Sequence, residues 1–379
     1  MNILVYGGWF GSGNLGDEAI LMGVNEVLGK KIPDATLTAL SIDPEYTYLH
    51  TGVRAESIES PRTFLRNRER YLKLFKDADA HLLTGGTPFY DYGHLSRIIH
   101  MSLPALSQRK VFCFGVGSKP IKTLRGREIT RMLLKNTAII STRDLISKEI
   151  LQPLSGRIIK PITVTGDSAM MLSPVAARRS GDHILFCPRR LEEEHRKLYH
   201  QELDRAVINR IRHMQALTAD RLIDEGYKVS FMPFHTVSPD DDREEVRRIR
   251  NLMHSEADVL HRPTSIRSAL ETLGGATLVV GLRLHSLILA SLQATLFVSV
   301  DYDIKMRGYM EHMKATEYIA EINQGLERLY EKTRQALDNQ EKYSLSLGRR
   351  VNAVRGSINT EADRLVSVLN QRNSGSRRI

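Results

Sequence analysis

From residue 2 to about residue 300, short β-rich apolar runs take turns with amphipathic, helix-like segments. That alternation constrains the fold most, because it is the pattern of parallel strands joined by helical crossovers. In the first half, strands are predicted at Ile3–Tyr6, Ala35–Ile42, Ala80–Thr84, Lys110–Gly115, Ala138–Ser141 and Ile162–Thr165. Helices are predicted over Ala19–Leu28, Arg66–Phe75, Arg125–Lys135 and Asp144–Leu151. The pattern breaks at Ser173–Asp182, a small, polar stretch punctuated by Pro174 and Gly181, and restarts at His183–Cys187. Further strands are predicted at Lys228–Pro233, Ala276–Gly281 and Ala294–Val300, with a long charged helix at Leu191–Glu225 and mainly helix from about Tyr309 onward. A chain of 379 residues is long for one domain. The expectation is α/β, with two Rossmann-like domains (1–174 and 183–330) facing across a cleft, a linker at 175–182 and a basic helical extension at 331–379.

Composition narrows the class. Hydrophobic residues make up 41% and charged residues 26%, ordinary values for a soluble globular protein. No apolar run approaches the roughly 18 residues of a membrane span, and strand-like residues beginning at Asn2 predict no cleavable signal. Cys113 and Cys187 lie in apolar strand-like runs and read as buried, reduced thiols, which implies a cytoplasmic location. The net charge of +10 is uneven: Arg349, Arg350, Arg355, Arg364, Arg372, Arg377 and Arg378 face only Glu361 and Asp363 in the last 36 residues. Leu347, Val351, Val354 and Ile358 recur there at helical spacing. The basic face is solvated, a peripheral contact with the inner membrane surface, or an attraction for polyanionic substrates. No nucleic-acid recognition module is present. His195 and His200 stand five apart on different helix faces, and no Cys/His cluster marks a metal site.

Open α/β sheets bind ligands beyond the carboxyl ends of their strands. The richest such place is Val279–Ser286, where a strand delivers Arg283 and His285 just before a helix. An arginine grips phosphate or carboxylate with a planar fork of donors, and a histidine moves protons near neutral pH. Arg189 and Arg190 follow the strand ending at Cys187, and Lys305 follows the one ending at Val300. These cations predict a pocket for a small, highly anionic ligand. His235 reads as a secondary polar contact, and Asp240, Asp241 and Asp242 as a helix cap.

In the first half, Gly11–Gly16 spells the G-x-G-x-x-G of dinucleotide sites. Asp17 and Glu18 argue against it, since they occupy the helix start where a pyrophosphate would sit. Asp43, the nearest candidate ribose acid, lies 27 residues after Gly16, compared with roughly 20 in such sites. The loop reads instead as a cleft wall offering Asn14 and Asp17, or as an Asp17 N-cap beside an Asn14 turn. Gly85, Gly86 and Gly115–Pro120 bring bare backbone to the same crevice. Lys119 is solvated or an anion contact, Arg143 structural or ligand-facing, and Asp144 a helix N-cap. No Walker-type phosphate loop or G-x-S-x-G elbow occurs, which disfavours ATP-dependent and serine-hydrolase chemistry.

Taken in order, several segments resemble the polysaccharide pyruvyl transferase family across residues 1–320. They are Gly13-Asn14-Leu15-Gly16-Asp17-Glu18-Ala19, Thr84-Gly85-Gly86, Gly115–Pro120, Ser141-Thr142-Arg143-Asp144, Val164–Asp167, Phe231–His235, Gly281–His285 and Asp303-Ile304-Lys305. The resemblance implies a GT-B-like fold and a cofactor-free activity. A pyruvyl group would pass from phosphoenolpyruvate to two hydroxyls of a sugar in a polysaccharide or its precursor, forming a ketal and releasing phosphate. It implies catalytic roles for His285 and Arg283, and phosphoenolpyruvate binding by Arg189, Arg283, Leu284, His285 and Lys305, with Arg190 the alternative to Arg189. It implies an acceptor side at Asn14, Asp17, Gly85 and Gly86, and a soluble or lipid-linked saccharide partner. Ile304 in place of the family's proline, Thr87 in place of a third glycine, and Pro188 before Arg189 depart from the pattern. The residues leave open a nucleotide-sugar glycosyltransferase, a non-catalytic scaffold of the same fold, the oligomeric state, and whether His285 serves as acid or base.

Overall fold

Strands form where apolar runs can be buried on both faces, as parallel sheets require. The computed structural model describes residues 1–58, 66–91, 101–104, 109–156, 161–191, 203–238 and 240–371. Strands β1 (Asn2–Tyr6), β2 (Thr36–Ser41), β3 (Arg54–Ser57), β4 (Ala80–Leu83), β5 (Lys110–Val116), β6 (Thr137–Thr142) and β7 (Ile162–Val164) form one sheet in the order β3-β2-β1-β4-β5-β6-β7. Strands β8 (His183–Cys187), β9 (Lys228–Phe231), β10 (Asp258–Val259), β11 (Leu278–Gly281), β12 (Leu296–Val300) and β13 (Ile319–Ala320) form a second, in the order β10-β9-β8-β11-β12-β13. Every pairing is parallel. Each sheet starts in its middle and winds outward both ways. Each therefore has one switch point, between β1 and β4 and between β8 and β11, where adjacent crossovers leave in opposite directions.

The chain divides into two compact units, residues 1–12, 17–172 and 353–379 in one and 13–16 with 173–352 in the other. In the first, Leu4, Leu83, Val111, Cys113 and Ile140 of the central strands meet Tyr71, Phe75, Leu133 and Leu134 from the covering helices. In the second, all four residues of β11 and all five of β12 are buried, as are Leu287, Ile288 and Leu289 of the helix Leu284–Leu292 between them. Cys113 and Cys187 are free, buried thiols.

Three short edge strands escape the sequence pattern. β3 is mostly polar and only partly buried, β10 is an exposed Asp258–Val259 pair, and β13 has only two residues, interrupting the helix expected after Tyr309. An edge strand pairs on one side alone and needs no continuous apolar run. The helix expected from Leu191 is described over Arg205–Asp224; His195 and His200 lie outside the described residues, as do Arg372, Arg377 and Arg378. The expected linker is hydrogen-bonded onto the second unit, where the Gln293 side-chain amide exchanges hydrogen bonds with the Val175 backbone (3.0 and 2.9 Å).

The helical residues after 330 divide between the units. At the start of the helix Gln340–Asn370, Tyr343 donates to Phe297 O (2.8 Å) and stacks on Tyr318. Later, Glu361 accepts from Thr163 in the first unit (2.9 Å). Leu347, Val351, Val354 and Ile358 are buried as the periodicity predicts. The basic face is partly spent at home: Arg350 donates to His312 O and Arg355 to Leu172 O. Among the described residues no helix is long and apolar enough to cross a membrane.

Candidate active site

In the second unit the loops after β8, β9, β11 and β12 converge around the switch point. Backbone pairing of β8 and β11 continues one step past the strands, with Leu282 N donating to Cys187 O (2.9 Å). Gly281 is required there, since a Cβ would lie 2.4 Å from side-chain atoms of Ser286 and Leu287. This close return starts the helix Leu284–Leu292 immediately after the strand and leaves Arg283 at its N-cap position.

The Arg283 fork faces carboxylates. Its Nε and Nη2 donate to Asp242 (3.0 and 2.6 Å), and its Nη1 donates to Asp240 Oδ2 (3.0 Å). Asp242 is fully buried and joins three loops, accepting also from the amides of Arg190 (3.1 Å), Phe234 (3.2 Å) and His235 (2.9 Å). The Asp240–Asp242 run is therefore only partly the cap read from the sequence. Asp241 is the N-cap of the helix Asp242–Arg250, accepting from Arg243 N (2.9 Å), while its neighbours turn to Arg283. Burial works against the charge on Asp240, but Arg283 and Arg189 overcome it and hold this carboxyl well below the usual range. Burial likewise opposes the Arg283 charge, and Asp240 and Asp242 more than restore it.

The two adjacent arginines separate cleanly. Arg190 pairs with Glu244 (2.9 Å) on the helix Asp242–Arg250. Arg189 is buried and donates from Nη1 to Tyr302 Oη (3.3 Å), with Asp303 at 3.9 Å. Its Nε is buried with no hydrogen-bond partner among the described residues. Tyr302 Oη donates to Leu282 O, tying the β12 loop to the residue before Arg283. Asp303 caps the helix Ile304–His312 by accepting from Lys305 N (3.1 Å), so Lys305 stands half-buried on its first turn. Leu284 is buried, and His285 is half-buried on the first turn of its helix. His235 Nδ1 lies 2.9 Å from Asp240 O. Asp240, Asp242 and Tyr302 were missed as site residues. Their signal is acid and phenol on strand-end loops whose neighbours deliver arginines.

In the first unit the switch point is closed by backbone. Gly85 has φ +121°, and a Cβ there would lie 2.6 Å from Gly8 N and Cα. Gly86 O accepts from Arg143, whose Nε also donates to Asp144 (3.0 Å). Arg143 is thus structural, and Asp144 caps its helix by accepting from Ser147 N (2.7 Å). The Lys119 amide donates to Phe89 O (2.8 Å). The first long helix starts at Leu15, so the buried Asp17 lies inside its first turn and is not the N-cap. Asn14, just before the helix, accepts from Gly16 N (3.1 Å). Glu18 accepts from Gly11 N (2.6 Å), the amide a pyrophosphate would need. Among the described residues no group of three or more His, Cys, Asp or Glu is placed to hold a metal ion.

Comparison with solved structures finds the same fold at low identity. The chain is similar to a UDP-GlcNAc 2-epimerase from Neisseria meningitidis bound to UDP-GlcNAc (TM-score 0.61, 13% identity, covering 98% of this chain and 100% of that one). It is similar to a glycosyltransferase from Rickettsia africae (0.61, 10%, 98% of each chain) and to a UDP-GlcNAc 2-epimerase from Methanocaldococcus jannaschii (0.60, 11%, 98% and 100%). At such identity these likenesses show the fold alone, two Rossmann-like units of the GT-B type. No curated protein matches the sequence. A model of the family described as polysaccharide pyruvyl transferase matches residues 14–304. The chain therefore belongs to the polysaccharide pyruvyl transferase family.

Proposed function

We propose that this protein transfers a pyruvyl group from phosphoenolpyruvate to two hydroxyls of a saccharide, with the donor bound at the switch point of the second sheet. The observation that carries this reading is Arg189. Its guanidinium is buried among strand-end loops, held by the Tyr302 phenol with Asp303 nearby, and its buried Nε–H has no hydrogen-bond partner among the described residues. Phosphoenolpyruvate carries a carboxylate and a phosphate on three carbons, a compact anion that such a fork complements. Lys305, and the N-terminus of the helix Leu284–Leu292 with its positive dipole end, supply further attraction. Arg283, already shared between Asp240 and Asp242, fixes the β11 loop and offers its remaining Nη1 donor.

In the reaction, donor C2 loses its bond to the phosphate oxygen and gains bonds to two sugar oxygens. C3 becomes a methyl group by taking one proton. The two hydroxyls release two protons, so one balances the methyl group and the other leaves with phosphate. His285 carries one of these protons, and Arg189 stabilises charge on the departing phosphate. The test is phosphate release from phosphoenolpyruvate against a panel of saccharides, with mass spectrometry for the pyruvyl increment. Phosphate release with His285→Ala at near wild-type turnover removes the proton role. Thermal stabilisation by a nucleotide sugar and none by phosphoenolpyruvate overturns the whole reading.

A further inference from the structure

The sole tryptophan of the chain, Trp9, is 44% exposed at the carboxyl end of β1, beside the switch point of the first sheet. Its neighbour Phe10 is fully buried, so one step of chain anchors an aromatic ring inside and presents the next one outside. The mount is rigid. Gly11 N donates to Glu18 (2.6 Å), Ser12 N to Trp9 O (3.2 Å), and Ile42 N to Phe10 O (2.9 Å). Gly11 has φ +76°, and a Cβ there would lie 2.3 Å from Ser41 Oγ and 2.4 Å from Asp43 N, which locks this loop against the end of β2. That contact brings up Ile42, 48% exposed, and the exposed carboxylate of Asp43, which caps the next helix through Oδ1.

An exposed indole on a fixed backbone, in a loop that meets the exposed residues Ile42 and Asp43 through its backbone, matches the chemistry of a pyranose ring. One ring face presents C–H groups polarised toward positive, which the negative face of an aromatic π-system attracts. The ring edge carries hydroxyls that a carboxylate accepts from. Strand carboxyl ends at a switch point are also where sheets of this kind bind ligands. We infer that Trp9 is the stacking platform for the acceptor sugar, with Asp43 accepting from its hydroxyls. This rests on the saccharide acceptor of the proposed reaction and adds the residues that choose it.

Because the chain has one tryptophan, emission excited on the red edge of its absorption, where the tyrosines do not absorb, reports on this position alone. The full-length protein is titrated with methyl β-D-glucopyranoside, methyl β-D-galactopyranoside, methyl α-D-mannopyranoside and N-acetylglucosamine disaccharide. A saturable change in emission with at least one sugar is expected. With that sugar as acceptor, Trp9→Ala is expected to raise its KM at least tenfold and leave the phosphoenolpyruvate KM unchanged, while Trp9→Phe keeps most of the affinity. Emission unmoved by every sugar, or an acceptor KM unmoved by Trp9→Ala, overturns the platform. A sugar-dependent emission change in a protein that releases no phosphate from phosphoenolpyruvate supports the platform and sinks the pyruvyl reading instead.

Discussion

Replacing Asp242 by asparagine tests the construction of the donor site, because one buried carboxylate joins three of its loops. Oδ1 accepts from Arg190 N and Arg283, and Oδ2 from Phe234 N, His235 N and Arg283. An amide keeps one oxygen. Whichever way it turns, its NH2 meets N–H donors and leaves at least two of them facing hydrogen. Each stranded buried donor costs about 1–3 kcal/mol, and breaking a buried ion pair costs about 3–5 kcal/mol in total. Asp240 still faces Arg283, so the expected loss is about 3–5 kcal/mol. At roughly 2–4 °C per kcal/mol for a unit of this size, Tm falls by roughly 6–20 °C. Scanning calorimetry on the purified protein measures this, with Glu244→Gln as the control: its carboxylate pairs with Arg190 while partly open to solvent and should be worth about 1 kcal/mol. A loss for Asp242→Asn no larger than that of the control would refute the view that this carboxylate holds the site together.

Arg189→Gln should raise the phosphoenolpyruvate KM by about 10–100-fold, the worth of one to two charged hydrogen bonds. Arg190→Gln should change it less than about threefold, since that side chain pairs with Glu244; steady-state kinetics separates the two. His81 is buried in β4 against Phe75, and burial lowers its pKa from 6.5 to about 4. Between about pH 6.5 and pH 4 the unfolded chain therefore binds the proton first. Stability present above pH 6.5 is lost as the pH falls, by about 3 kcal/mol in all; urea midpoints at pH 7 and pH 5 should show this, and His81→Phe should flatten the slope. Gly85→Ala must place a Cβ against the Gly8 backbone at φ +121° and should cost more than about 3 kcal/mol. Gly52→Ala, also at positive φ but with nothing within 4 Å, should cost about 1 kcal/mol, and equal costs in thermal melts would count against the backbone contact.

The interior strands were legible because burial on both faces writes a continuous apolar run, as in Leu278–Gly281 and Leu296–Val300. Edge strands such as Asp258–Val259 carry no such run, and only pairing with β9 defines them. Arg189, Arg283 and Lys305 were legible for a different reason: each follows a strand end, and strand ends can be read from sequence. Their surroundings could not be. Asp242 is 41 residues from Arg283, and its sequence context is that of a helix cap, a role its neighbour Asp241 does fill. Which member of an acidic run turns into the site is decided by the backbone of two other loops. The same limit kept Arg189 and Arg190 equivalent until their side chains were seen to leave in different directions.

By charge alone the carboxylates around Arg189 and Arg283 oppose an anionic donor, but burial makes them a requirement of the site. Two guanidiniums that feel each other's charge inside a protein cannot be buried without counter-charge, and Asp240, Asp242 and Asp303 supply it. The acids fix where the forks point before the donor arrives, so the donor need not meet that ordering cost. Asp240→Asn separates this from simple charge counting. The substitution removes a negative charge and should tighten an anion if net charge governs. If preorganisation governs, a neutral amide grips the Arg283 Nη1 less firmly than the carboxylate did, and phosphoenolpyruvate binds more weakly despite the added positive charge. Calorimetric titration with phosphoenolpyruvate at fixed ionic strength decides between them, and a tighter Kd in Asp240→Asn would mean that the acids merely dilute a cationic pocket.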